Sequence, residues 1–229
     1  MRLPPFRVRA RRVAYVSLLV AAIAAPLASQ PAPPHDLLVR GGTVLDGSGR
    51  ARVAADVWVR GGHIAAVGAP PGAVARDTLD ARGLFVAPGF INLHSHAEPW
   101  GLPTADNMLS QGVTTEILNA DGGGPLDIAA QLRTLQEAGL AVNAGAAIGF
   151  NSVWQSVVGR SDRRPTAAEI ARMQRLVTDN LAAGAFAVSA GLDYKPGYYA
   201  TEDEVVQVVS PARVWRTNFP NHDRLRPEL

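Results

Sequence analysis

The sequence predicts an α/β protein in two parts: a small β-sheet module over residues 36–85, then a partial (β/α)8, TIM-like barrel over residues 86–229. Three observations carry this. Short alternating apolar runs separated by glycine turns fill the first part. From Val86 onward, apolar runs of strand length alternate with stretches of helical period. One of those runs, Val86-Ala-Pro-Gly-Phe-Ile-Asn-Leu-His-Ser-His96, ends in two histidines spaced two apart. About five strands can be counted from Val86 on, whereas a closed barrel has eight in typically ~250 residues, so an incomplete barrel is expected.

The first strand is expected at Asp36-Leu-Leu-Val-Arg-Gly-Gly-Thr-Val-Leu-Asp46, which alternates, turns at Gly47-Ser-Gly49 and resumes through Ala54-Ala-Asp-Val-Trp-Val59. Gly61-Gly62 makes the next turn, and His63 to Gly68 gives a third strand. His63 at that turn and His35 in the preceding linker read as surface histidines rather than ligands. In the second part, Thr104 is expected to cap a short helix to Gln111, which Gly112 ends before the strand Val113 to Leu118. Leu126 to Ala138 has helical spacing and stops at Gly139; Ala141 to Ala147 is the next strand. Thr166 and Glu169 form a capping box ahead of Ile170, Met173, Leu176, Val177 and Leu181, an apolar stripe closed by Gly184. Met173 therefore belongs to core packing. Thr201 and Glu204 make a second capping box, and after Pro211 a fifth strand is expected at Val214 to Asn218.

A chain of 229 residues, 47% of them hydrophobic, can bury an ordinary globular core. The formal charge of +2 and the pI near 9.4 originate at the start of the chain. Arg2, Arg7, Arg9, Arg11 and Arg12 precede residue 13, and the other 17 basic residues face 20 acidic ones, a net of −3. That balance gives no support for a nucleic-acid partner. The Arg-rich start, the apolar stretch Val13 to Ala25 and the small residues that follow read as a secretory signal peptide over residues 1–28, with a Pro-rich linker over 29–35. A periplasmic or secreted protein is expected; the alternative is an uncleaved N-terminal anchor, for which the apolar stretch is short. The chain has no cysteine, so any metal must be held by nitrogen and oxygen.

The histidine pair carries the chemistry. Side chains two apart on a strand project the same way, so His94 and His96 offer two imidazoles on one face. Neutral imidazole is the commonest metal ligand, and two ring nitrogens about 2.0–2.1 Å from one ion is ordinary coordination. Barrel active sites lie at the C-terminal ends of strands. The second strand runs into Asn119-Ala-Asp121-Gly122, so Asp121 is either a ligand or a turn residue ahead of Gly122-Gly-Gly124. Ser189 precedes Ala190-Gly191, but no histidine partner is in view, and it is not read as a nucleophile.

Ala87-Pro-Gly-Phe-Ile-Asn-Leu-His-Ser-His96 resembles the first barrel strand of the amidohydrolase superfamily, which reads close to PGFIDxHxH there. Gly112-Val-Thr-Thr115 and Ala190-Gly-Leu-Asp-Tyr-Lys-Pro-Gly197 narrow the resemblance to the D-aminoacylase (N-acyl-D-amino-acid deacylase) branch, over about residues 36 to 224. The resemblance implies that residues 36–85 form part of a split β-sandwich beside the barrel. It implies zinc, as one or two divalent ions, with His94, His96, Asp121 and His222 as ligands. Asp121 stands where that branch holds a metal-bridging cysteine, so an oxygen donor replaces sulfur. His222, in Asn221-His-Asp-Arg224, matches a His-x-Arg element, and Tyr194 matches a tyrosine near the substrate. The implied reaction is metal-dependent hydrolysis of a linear, non-peptide amide, an N-acyl-D-amino acid, to a carboxylate and a D-amino acid. The family's general base and a further histidine are expected beyond Leu229, so this chain is expected to be inactive alone. The alternatives are a cyclic-amide hydrolase of the dihydroorotase or hydantoinase type and a non-catalytic fragment. Those cyclic-amide enzymes usually use a carbamylated lysine on strand four, and the only lysine here is Lys195, in the loop after it.

Overall fold

A computed structural model describes residues 34–224. The proposed signal peptide and most of the linker lie outside the described residues. The chain divides into two compact units, with the break between Ala87 and Pro88.

The first unit is one five-stranded sheet: β1 (His35–Val44), β2 (Val53–Arg60), β3 (His63–Val67), β4 (Ala75–Asp80) and β5 (Phe85–Val86). Its order is β3-β2-β1-β4, and β5 also pairs with β1. β1-β2 and β2-β3 are antiparallel, as their glycine turns dictate; Gly61 and Gly62, at φ 57° and 76°, make the tight second one. β4 and β5 return parallel to β1. The described residues of this unit form a single sheet, and no second sheet layer is found among them. β4 went unforeseen because half of Ala-Arg-Asp-Thr-Leu-Asp is charged and nearly all of it is exposed. The expectation for His35 needs correction: it opens β1, is buried, and sets its ring edge-on to Trp58, with centroids 5.1 Å apart. Its burial follows from Trp58, which is itself buried and donates from Nε1 to the Gly68 carbonyl at 2.7 Å. His63 is exposed, as its turn position suggested.

The second unit is a parallel sheet of β6 (Phe90–Asn92), β7 (Val113–Leu118), β8 (Asn143–Gly149), β9 (Ala187–Gly191) and β10 (Asn221–His222), hydrogen-bonded in sequence order. Helices α1 (Asp106–Leu109), α2 (Ile128–Ala138), α3 (Phe150–Val157), α4 (Ala167–Ala182) and α5 (Glu202–Val209) fall between the strands, the arrangement of half a βα barrel.

Local chemistry explains most of these bounds. β7 occupies the residues its β-branched run predicts. Asp127 caps α2 by accepting from the Ala130 N–H at 2.8 Å, and Gly139, at φ 79°, ends it. Both capping boxes form, at Thr166 with Glu169 and at Thr201 with Glu204. Thr104 does not cap α1; Ala105, in the left-handed region, takes that position without a side-chain bond.

The core lies between helices and sheet. Met173, Val177 and Leu181 of α4 join Val153 and Trp154 of α3, Val205 and Val208 of α5, and Ile148 and Val188 of the strands in one buried cluster. Each such side chain contributes about 1.5–3 kcal/mol by leaving water. α3 begins directly after β8, without the loop that a sequence reading looks for.

The fifth strand is displaced from its expected place. Val214 lies in a 3-10 turn, Ser210–Trp215, which starts with Pro211 near its N-terminus and ends at Arg216 with φ 50°. A left-handed residue there ends any extended run. Pairing with β9 begins later, where the carbonyls of Asn218, Pro220 and His222 accept from Val188, Ala190 and Leu192.

Candidate metal centre

β6 stops at Asn92, short of the expected strand end at His96, because the Asn92 side-chain oxygen accepts the His94 N–H at 3.2 Å and bends the chain. The ladder nevertheless continues, with the Ser95 N–H donating to the Ile117 carbonyl of β7 at 3.1 Å. Ser95 is buried while its neighbours His94 and His96 are exposed. The two imidazoles stand together, ring centroids 5.2 Å apart.

Asp121 comes from the exit of β7. Asn119, Asp121 and Gly122 have φ of 66°, 56° and 77°, and a non-glycine residue in that region costs on the order of 1 kcal/mol and persists where its surroundings enforce it. The Asn119 amide exchanges hydrogen bonds with Gln131 at 2.8 and 3.0 Å and donates to the Ala147 carbonyl at 2.9 Å. Gly149 and Gly191 let the strand ends approach the loop closely: a Cβ on Gly191 would lie 3.1 Å from the Asp121 carbonyl carbon and 2.5 Å from the Tyr194 ring.

Three donors converge. His94 Nε2 lies 3.2 Å from Asp121 Oδ1, His96 Nε2 lies 3.2 Å from Oδ2, and the donor atoms of the three residues fall within 4.8 Å of one another. Ligands each about 2.1 Å from one ion, at angles between 90° and the tetrahedral value, stand roughly 3.0–3.5 Å apart. Asp121 Oδ1 is buried and has no hydrogen-bond partner, since the His94 nitrogen is close but not aligned as a donor. A buried carboxylate oxygen left without a donor is costly, and a cation satisfies it. The residues present therefore fit a divalent metal ion.

His222 lies beside this group, outside the three: its Nδ1 is 4.0 Å from Asp121 Oδ1 and shares a hydrogen bond with the Tyr194 hydroxyl at 3.1 Å. The Tyr194 and His222 rings are tilted, with centroids 4.7 Å apart. Arg224 braces the Tyr194 loop through the carbonyls of Leu192, Gly197 and Ala200. Lys195 sits with Nζ 5.7 Å over the Tyr199 ring, separate from the three donors. Sequence reasoning missed Asn151, buried at the start of α3, whose amide clasps Gly191 through both its N–H (3.1 Å) and its carbonyl (2.9 Å). Nothing in the sequence marks it beyond a polar residue within two positions of a strand-end glycine. It also missed the role of Glu116, buried on β7 and accepting from Asn92 Nδ2 at 2.9 Å.

The parallel βα sheet brings two histidines and a carboxylate together at its first two strand ends, and the chain is similar to enzymes of the amidohydrolase superfamily. Among the relatives are D-aminoacylase, N-acyl-D-aspartate deacylase and N-acyl-D-glutamate deacylase. The D-aminoacylase of Alcaligenes xylosoxydans xylosoxydans is 34% identical over 216 residues, 83% of this chain and 45% of that protein. A solved D-aminoacylase with a binuclear metal centre superposes with a TM-score of 0.72 at 33% identity, covering 83% of this chain and 46% of the other. The N-acyl-D-glutamate deacylase of Bordetella bronchiseptica, solved with zinc and a phosphonate inhibitor, gives 0.76 at 31% identity, covering 84% and 46%. No protein-family model matches the sequence. The chain spans under half the length of these relatives.

Proposed function

We propose that the chain carries the metal-binding face of an amidohydrolase that cleaves N-acyl-D-amino acids, with water and the linear amide giving a carboxylate and a D-amino acid. The convergence of His94, His96 and the partnerless Asp121 oxygen carries this reading. The names of the relatives, D-aminoacylase and N-acyl-D-glutamate deacylase, supply the small-molecule substrate class. On this reading His94, His96 and Asp121 hold zinc, and His222, 4.0 Å from Asp121, is a further donor where two ions are held. A bound divalent ion supplies Lewis acidity that polarises the acyl carbonyl and acidifies water. The Tyr194 hydroxyl, beside His222, donates to a substrate carboxylate or to the charge developing on the carbonyl oxygen. The parallel sheet is read as the first five strands of a closed (β/α)8 barrel, the preceding sheet as part of a split β-sandwich, and residues 1–28 as an export signal to the periplasm or medium. Enzymes of the cyclic-amide alternative usually carry a lysine ligand on strand four, and the only lysine of this sequence, Lys195, lies in a loop with its Nζ 5.7 Å from the Tyr199 ring centroid.

Zinc affinity tests the reading. His94→Ala and His96→Ala together are expected to weaken binding 10- to 100-fold or more, since even groups that only orient ligands matter on that scale. A double variant that binds zinc as the parent does would place the site elsewhere.

A further inference from the structure

We propose that Ser189 is a positioning residue for the metal centre: its hydroxyl ties the backbone on both sides of Asp121 and so sets where that carboxylate stands. The proposal rests on the metal-site reading above.

Ser189 lies in β9, one strand removed from the strand that delivers Asp121, and is buried in a stretch that is otherwise alanine, valine and glycine. A polar group placed there needs partners. Its Oγ donates to the Asn119 carbonyl at 2.5 Å and accepts from the Gly122 N–H at 3.1 Å. Asn119 and Gly122 flank Ala120-Asp121, and Asn119, Asp121 and Gly122 all hold left-handed backbone. The hydroxyl has one proton, and it is committed to Asn119.

The neighbouring contacts do a different job. Gly149 and Gly191 touch the loop through space and limit how far it can move inward. Asn151 directs its hydrogen bonds to Gly191 and meets the loop by packing against Gly122. Asn119 is held through its side chain by Gln131 and Ala147 at the near end. Ser189 adds the tether that joins both ends of the left-handed turn to the strand beneath it. Without that hydroxyl, the Asn119 carbonyl and the Gly122 N–H lose a buried partner and the turn is free to relax. The carboxylate then leaves its 3.2 Å approach to His94 and His96.

The experiment measures zinc affinity of the 229-residue chain by competition with a chromophoric chelator, alongside thermal melts. It compares the parent, Ser189→Ala, Ser189→Thr and Val208→Ala. Val208 is a buried residue of α5 and serves as a control for lost stability. Ser189→Ala is expected to bind zinc about 10- to 100-fold more weakly. Ser189→Thr, which keeps the hydroxyl, is expected to recover most of that loss. Val208→Ala is expected to keep the parent's affinity despite a lower melting temperature. Parent-like affinity in Ser189→Ala, no recovery in Ser189→Thr, or an equal loss in Val208→Ala would overturn the proposal while leaving the metal site standing. A parent that binds no zinc would overturn the metal-site reading and this proposal with it.

Discussion

Gly149→Ala tests how closely the Asp121 loop is seated. Gly149 joins β8 to α3 with φ −81° and ψ 121°, which alanine adopts freely, so the substitution probes space alone. A Cβ there would overlap the carbonyl oxygens of Gly122 and Gly123 and stand 2.5 Å from the Gly122 carbonyl carbon. Non-bonded carbons ordinarily approach to about 3.5–4.0 Å, so the loop must retreat by roughly 1 Å. The opposing atoms are backbone, and no flexible side-chain end is available to give way. Overpacking of this kind costs about 1–3 kcal/mol. At about 2–4 °C per kcal/mol for a chain of this size, the melting temperature should fall by about 2–12 °C. The same movement shifts Asp121 against the two histidines, so zinc affinity should drop about tenfold or more. Gly123→Ala is the internal control, because its φ is −84° and a Cβ there meets only the Ala120 carbonyl, at 3.9 Å. It should match the parent or gain up to about 1 kcal/mol by restricting the unfolded chain. Melts followed by far-UV circular dichroism, with zinc titrations, decide the matter. A Gly149→Ala protein with the parent's melting temperature and affinity, or a Gly123→Ala protein damaged as badly, would refute the reasoning.

Asp121→Asn should weaken zinc binding while leaving the metal-free protein as stable as the parent or more so, because it removes the negative charge of a carboxylate whose buried oxygen has no donor; a marked fall in the metal-free melting temperature would count against it. Thr166→Ala breaks the capping box of α4 and should cost about 1 kcal/mol, seen as a few degrees in the melt. Glu169, in that box, has its pKa lowered from 4.5 to about 2, chiefly by the Arg163 guanidinium and then by the Thr166 N–H. A depressed carboxylate stabilises the fold above its unfolded pKa and loses that contribution as pH falls through the folded value. The stabilisation is therefore complete above about pH 4.5 and lost toward pH 2, and Glu169→Gln should reduce the drop in melting temperature between pH 6 and pH 3; an unchanged drop would show that the pair contributes nothing.

The legible parts of the fold are those specified within a few residues of one another. Thr166 with Glu169 and Thr201 with Glu204 announce two helices, and Val113 to Leu118 announces a strand, because caps and β-branched runs act locally. The proximity of His94, His96 and Asp121 follows from their places just past the first two strands, whose ends neighbour one another in the sheet. The expected strand at Val214 failed because Arg216 adopts a left-handed conformation that no local pattern signals. Ser189 is bonded to residues 67 and 70 positions away, so its role exists only once β7 and β9 are both in place. Gly149 and Gly191 are ordinary strand-end glycines until the loop from β7 settles on them.

The proposed ligands His94, His96 and Asp121 also bear on what kind of chemical attack such a centre would withstand. Imidazole nitrogen and carboxylate oxygen form no disulfides and no sulfenic acids, and the chain contains no cysteine anywhere. Thiol-directed alkylating agents and thiol–disulfide exchange find no target in these residues, and removal of an ion held by them would fall to chelators and to protons competing for the imidazoles. Imidazole and carboxylate donors take no part in thiol–disulfide exchange, whereas a thiolate ligand answers to the redox poise of its surroundings.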